Sequence, residues 1–134
     1  MDPNNPYEVA LKHSVELSQA GKEHEALTVL DEAIGLAVEQ KQVRWIITLS
    51  NHAAVMSCFI RDSQRMKRYC EQTLRFDSED PLALYRLADL AHEQGDDETA
   101  RKYAGRCHKA IVQGKRDLGL LDLVAKQWPE VAGN

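Results

Sequence analysis

Two stretches of the sequence share one residue spacing: GKEHEALTVLDEA at residues 21–33 and GDDETARKYAGRC at residues 95–107. In each stretch a glycine is followed by small or aliphatic residues five, nine and twelve positions later. Because glycine ends a helix and the later offsets follow the helical period, each stretch predicts a turn followed by a helix. A hairpin of this kind that recurs along a chain is typical of a helical solenoid, whose units bury their apolar faces against their neighbours.

Apolar residues at helical spacing on both sides of these turns extend the pattern to most of the chain. They predict three hairpins, at residues 6–38, 42–78 and 81–113. Asn5 followed by Pro6 indicates a helix start, since a polar cap precedes a proline whose missing amide hydrogen costs nothing in the first turn. We therefore expect the first helix to begin there.

The end of the chain carries a further amphipathic pattern. Residues 117–128 place leucine, valine and tryptophan at helical spacing, and Pro129 follows as a stop signal. A solenoid needs an end piece that is apolar inside and polar outside, and this segment fits that role. The chain has 134 residues, the length of one domain, so we predict a single all-α domain over residues 1–134.

These hairpins resemble the tetratricopeptide repeat, a 34-residue helix–turn–helix unit. The matching residues are Leu84, Leu87, Ala88, Gly95, Ala100 and Cys107 in the third hairpin, and Leu17, Gly21, Ala26, Leu30 and Ala33 in the first. Met66 lies 34 residues before Ala100, which is the period of the family, whereas Ala26 lies 40 residues before Met66. The resemblance implies a right-handed superhelix of about three antiparallel hairpins plus a C-terminal capping helix. It also implies a scaffold or adaptor that binds other proteins.

Stacked hairpins curve so that the first helix of each pair lines a concave groove. The residues expected to face that groove are Leu11, Lys12, Val15, Asn51, Val55, Tyr85, Arg86 and Asp89. Their mixture of apolar, aromatic and charged side chains suits a peptide or helix of a partner protein. We predict a non-catalytic interaction module in which Arg86 pairs with a carboxylate of the partner, while Tyr85 and Val55 supply apolar contact.

The charge of the chain alternates in blocks. Residues 1–40 carry a net charge of −6, residues 41–76 of +5, residues 77–100 of −7 and residues 101–134 of +4. Such blocks leave self-association open as an alternative, in which an acidic unit of one copy docks on the basic second unit of another.

A basic face on residues 61–75 raises the question of nucleic-acid binding, since helical repeats can read RNA. Its basic residues are Arg61, Arg65, Lys67, Arg68 and Arg75. The overall net charge of −4 and the acidic blocks on either side oppose a groove that follows a phosphate backbone. The sequence therefore disfavours this function.

Catalysis and metal binding have little support in the sequence. It contains no glycine-rich phosphate loop, no Gly-x-Ser-x-Gly motif and no pair of metal ligands at close spacing. His13 lies on the apolar stripe of the first helix, so we expect it in the interior. Cys58, Cys70 and Cys107 lie beside apolar residues and are expected to be buried, reduced thiols. We expect no enzyme activity, no cofactor and no metal.

The sequence also bears on membranes and location. No apolar run approaches the roughly 20 residues needed to span a bilayer, and the N-terminus lacks the basic and apolar regions of a secretory signal. We expect a cytoplasmic protein without a membrane partner.

Overall fold

The computed structural model describes residues 4–132, and the regular structure within this range is entirely α-helical. The helices are α1 Pro6–Gln19, α2 Glu23–Glu39, α3 Val43–Phe59, α4 Ser63–Phe76, α5 Pro81–Glu93, α6 Asp97–Val112, α7 Leu120–Gln127 and α8 Pro129–Ala132. The all-α fold class predicted from the sequence is therefore confirmed.

The chain forms two compact units, one ending at Phe76 and one starting at Asp77. In the first unit α1 packs on α2, α2 packs on α3, and α3 packs on α4. In the second unit α5 and α6 form the main helix pair, α7 packs on both of them, and α8 packs on α6 and α7. Consecutive helices within each unit thus pack against each other, as the hairpin pattern predicts.

Four turns between these helices share a left-handed geometry. Gly21 and Gly95 have φ angles of 77° and 79°, and Lys41 and Arg61 have φ angles of 56° and 57°. In each turn the amide of the next residue donates to a carbonyl five positions earlier, at 2.8–2.9 Å. This is the Schellman hydrogen bond that closes a helix end. The glycine turns were predictable from the sequence, whereas Lys41 and Arg61 adopt the same conformation without glycine.

Polar side chains cap the beginnings of α1, α4, α5 and α6, the last through Asp96, which accepts from the Thr99 amide at 3.2 Å. The Asn5 side chain accepts hydrogen bonds from the amides of the second and third residues of α1, at 2.9 and 3.2 Å. Asp62 accepts from the amide of Arg65 at 3.0 Å, and Asp80 accepts from the amide of Ala83 at 3.0 Å. Such caps satisfy amide groups that have no partner inside the helix. The helix start predicted at Asn5 is confirmed.

The buried face of α1 differs from the predicted one. The sequence suggested a stripe through Val9 and His13, but the structure buries Tyr7 and Ser14 and leaves Val9 and His13 at the surface. The reason is an aromatic contact: the Tyr7 ring stacks on Trp45 of α3, with centroids 5.6 Å apart and planes at 25°. Burying an aromatic ring contributes more than burying valine, so this contact sets the rotation of α1.

The cysteines follow the prediction at two of three positions. Cys70 and Cys107 are buried free thiols, whereas Cys58 is exposed. Cys58 lies in the last turn of α3, where the buried positions are Met56 and Ser57. The expectation of a buried Cys58 was therefore wrong, because the apolar stripe of α3 turns away from that position.

The predicted C-terminal helix begins and ends differently. Leu118 and Gly119 have positive φ angles of 55° and 80°, so helix α7 starts only at Leu120. Pro129 begins the four-residue α8 and does not simply stop the chain, because proline is compatible with the first position of a new helix. The buried side chains of this segment are those of Leu120, Val124 and Trp128.

Candidate functional site

The predicted binding residues of the first unit lie on two neighbouring helices. Leu11, Lys12 and Val15 are on α1, Asn51 and Val55 are on α3, and these helices contact each other. Lys12 is exposed and the other four are half-buried. The two helices therefore carry both apolar and polar side chains that are at least partly exposed, a mixture that suits peptide binding.

A contact between the same two helices holds this surface in place. Besides the stacking of Tyr7 on Trp45, the Tyr7 hydroxyl donates a hydrogen bond to the side-chain oxygen of Gln40. Gln40 lies in the turn between α2 and α3. Tyr7 therefore links α1 to the start of α3 at one end of the surface, and limits how far the two helices can move apart.

The remaining predicted residues, Tyr85, Arg86 and Asp89, lie on α5 in the second unit. Tyr85 meets the edge of the buried Trp128 ring, with centroids 6.3 Å apart and planes at 78°. Trp128 also contacts the ring of His92, at 6.0 Å. Burial, and next the nearby Asp89 carboxylate, raise the pKa of the Tyr85 hydroxyl. One side of Tyr85 is thus occupied by the chain's own C-terminal segment.

Arg86 carries a charge for which the described part of the chain supplies no acceptor. Its side chain is half-buried, and its Nε atom is buried without a hydrogen-bond partner in the described part of the chain. Arg86 forms no ion pair among residues 4–132. It is also the single basic residue between positions 77 and 100, a segment with eight acidic residues. Burial of Nε leaves part of this charge out of water without an acceptor, which is costly, and a carboxylate that pairs with the other guanidinium nitrogens would offset that cost.

The basic face on residues 61–75 is partly neutralised within the first unit. Arg65 on α4 forms an ion pair with Asp31 on α2 at 2.8 Å, and its Nε donates to the Tyr69 hydroxyl at 3.2 Å. The Tyr69 hydroxyl in turn donates to the other carboxylate oxygen of Asp31. Burial and this hydrogen bond raise the pKa of Tyr69 to about 12. Arg65 therefore fastens α4 to α2 and is not available to follow a phosphate backbone.

This cluster of Asp31, Arg65 and Tyr69 was not anticipated from the sequence. Asp31 and Arg65 are 34 residues apart, whereas Ala26 and Met66 of the same two helices are 40 residues apart, so the repeat pattern does not place them opposite each other. Their opposite charge was the one signal in the sequence that fitted a contact. A surface pocket of about 290 Å³ adjoins the cluster, and Arg68 and Gln72 complete its lining.

Between positions 4 and 132, no group of three or more histidine, cysteine, aspartate or glutamate side chains is arranged to hold a metal ion. Within the same range, none of the helices combines the length and the apolar character that crossing a bilayer requires.

No protein-family model matches the sequence, and no curated protein matches it either.

Proposed function

We propose that this chain is a tetratricopeptide-like repeat protein that binds a peptide or helix of another protein and catalyses no reaction. Hairpins joined by one recurrent turn, with alanine at the tight helix contacts, support the repeat assignment. The proposed binding elements are the first helices of the hairpins, which carry the half-exposed residues described above. The protein would act as an adaptor or scaffold in the cytoplasm.

The observation that carries this proposal is the unpaired guanidinium of Arg86. A stable helix pair does not by itself require a half-buried cation without an acceptor, since an apolar side chain of similar size would stabilise the fold at least as well. A hydrogen bond to a charged group contributes about 1.5–3 kcal/mol when it is formed. A carboxylate of the partner that reaches Arg86 would therefore contribute roughly ten- to hundredfold to affinity.

The test separates a binding role of Arg86 from a structural one. We expect Arg86→Met to keep or slightly raise the unfolding midpoint, because it removes an uncompensated half-buried charge. The same variant and Arg86→Glu should lose a partner that the wild type retains in affinity capture followed by mass spectrometry. Arg101→Glu is the matched control, since Arg101 is an exposed arginine on α6 of the same unit.

The outcomes differ clearly. A partner retained by the wild type and Arg101→Glu, but lost by both Arg86 variants, supports the proposal. Equal retention by all four proteins would remove Arg86 from the interaction. Recovery of nothing but further copies of the bait would favour the alternative of self-association.

A further inference from the structure

A second surface, formed by the two helices of the first hairpin, has the form of an open groove. It is an open groove of about 430 Å³ between α1 and α2, here called the α1–α2 groove. Its lining residues are Pro6, Val9, Ala10, His13, Val29, Glu32, Ala33 and Leu36. All of them belong to α1 or α2, so the groove is a feature of one hairpin.

The floor of the α1–α2 groove is apolar and faces solvent. Val9 is 45% exposed, and Ala10, Val29 and Leu36 are half-buried. The rotation of α1 that buries Tyr7 is what turns Val9 and His13 outward into the groove. When a ligand covers these apolar side chains, binding is stabilised by about 25 cal/mol for each Å² of apolar surface removed from water.

The rim of the groove, taken as Glu32 in its lining and the glutamates that share its helix faces, is acidic. Glu25, Glu32 and Glu39 follow one another at seven-residue intervals along α2, and Val29 and Leu36 lie between them on the same helix face. On α1, Glu16 follows His13 by three residues and so lies one turn further along the same face. All four glutamates are exposed, and none of them forms an ion pair among residues 4–132.

We propose that the α1–α2 groove binds an amphipathic helix of a partner protein that carries aliphatic residues on one face and lysine or arginine along its flanks. The aliphatic residues would cover the floor formed by Val9, Val29 and Leu36. The basic residues would meet the carboxylates of the rim. The stretch from Pro6 to His13 is about 10 Å long, which is two helical turns, so the ligand presents two or three apolar side chains.

A second copy of this chain is a poorer occupant. Its most basic helix is α4, but α4 buries the apolar side chains Met66, Tyr69 and Cys70 in its own unit. It could offer them to another copy only by unfolding. The ligand of the α1–α2 groove is also distinct from that of Arg86, because the groove requires a basic ligand and Arg86 an acidic one.

The test uses a displayed library of 18-residue amphipathic helices. The apolar positions are fixed as leucine, and the flanking positions vary among lysine, arginine, glutamine, glutamate and aspartate. Selection on the wild-type protein should enrich lysine and arginine at the flanks. Binding of an enriched peptide, measured by calorimetry, should weaken by about three- to tenfold in Glu32→Lys and again in Val9→Asn.

Two matched controls accompany these variants. Glu98→Lys makes the same charge change at an exposed site on α6, and Val112→Asn makes the same polar change at a valine that is 65% exposed. Both should bind the peptide as the wild type does. Arg86→Met should also bind it normally, so a failure of the groove is distinguishable from a failure of the Arg86 proposal.

Three results would overturn the inference. The first is a selected pool without basic enrichment, and the second is an enriched peptide that binds Glu32→Lys and Val9→Asn as tightly as the wild type. The third is a concentration-dependent dimer in sedimentation that Glu32→Lys dissociates, since that would make a second copy the occupant.

Discussion

Two glycines in the first unit should respond in opposite directions to the same substitution. Gly21 has a φ of 77° in the turn after α1, whereas Gly35 lies inside α2. A methyl group added at either position would meet no atom within 4 Å, so steric contact plays no part. Alanine at Gly21 must adopt the left-handed conformation, which costs about 1–2 kcal/mol and is offset by about 0.5 kcal/mol from the less flexible unfolded chain.

The expected changes follow from these terms. Gly21→Ala should lower the free energy of unfolding by about 1 kcal/mol, and Gly35→Ala should raise it by about 0.5–1 kcal/mol because alanine favours the helix. Urea unfolding followed by circular dichroism at 222 nm measures both changes. Lys41→Gly serves as a third arm, since it removes a left-handed lysine and should raise stability by less than about 1 kcal/mol.

The opposite signs of the two changes in the free energy of unfolding test the structure. If Gly21→Ala left the unfolding midpoint unchanged while Gly35→Ala lowered it, the turn and the helix would be wrongly placed. A loss of stability in Lys41→Gly would likewise show that the turn between α2 and α3 is not left-handed in solution.

Three further predictions concern packing and ionisation. Tyr69→Phe should cost about 1 kcal/mol, because Asp31, which stays paired with Arg65, loses a part-buried donor. In the wild type, the free energy of unfolding should fall between pH 10 and about 12, because in this range the unfolded tyrosine has lost its proton and folded Tyr69 has not. Urea unfolding measured across this pH range should show a smaller decline in Tyr69→Phe. Ala100→Trp should lower the free energy of unfolding by about 1–3 kcal/mol, because Ala100 is fully buried, and an unchanged melting midpoint would contradict its packing. At pH 8, iodoacetamide should label exposed Cys58 well before Cys107, because burial and then nearby acidic groups raise the pKa of the Cys107 thiol to about 11. Mass spectrometry of the labelled peptides measures both rates, and equal rates would contradict this prediction.

The exposure of some residues of the proposed site could be predicted from the sequence, whereas the contacts around others could not. The sequence placed Leu11, Val15 and Val55 on a surface because they lie beside the apolar stripes, and the structure shows them half-exposed. It gave no indication that Trp128 would cover one side of Tyr85. That contact joins residues 43 positions apart, and periodicity within one helix cannot reveal it.

The sequence by itself determined where the first six helices lie, but not the start of α7 or the presence of α8. The glycine at position 21, the cap at Asn5 and the cap at Asp80 act on the backbone within a few residues, so their effects can be read locally. The tertiary structure alone decided which face of α1 is buried, because the stacking of Tyr7 on Trp45 competes with the apolar stripe and prevails. That long-range contact leaves the α1–α2 groove open to solvent, and with it the surface proposed to bind a basic helix.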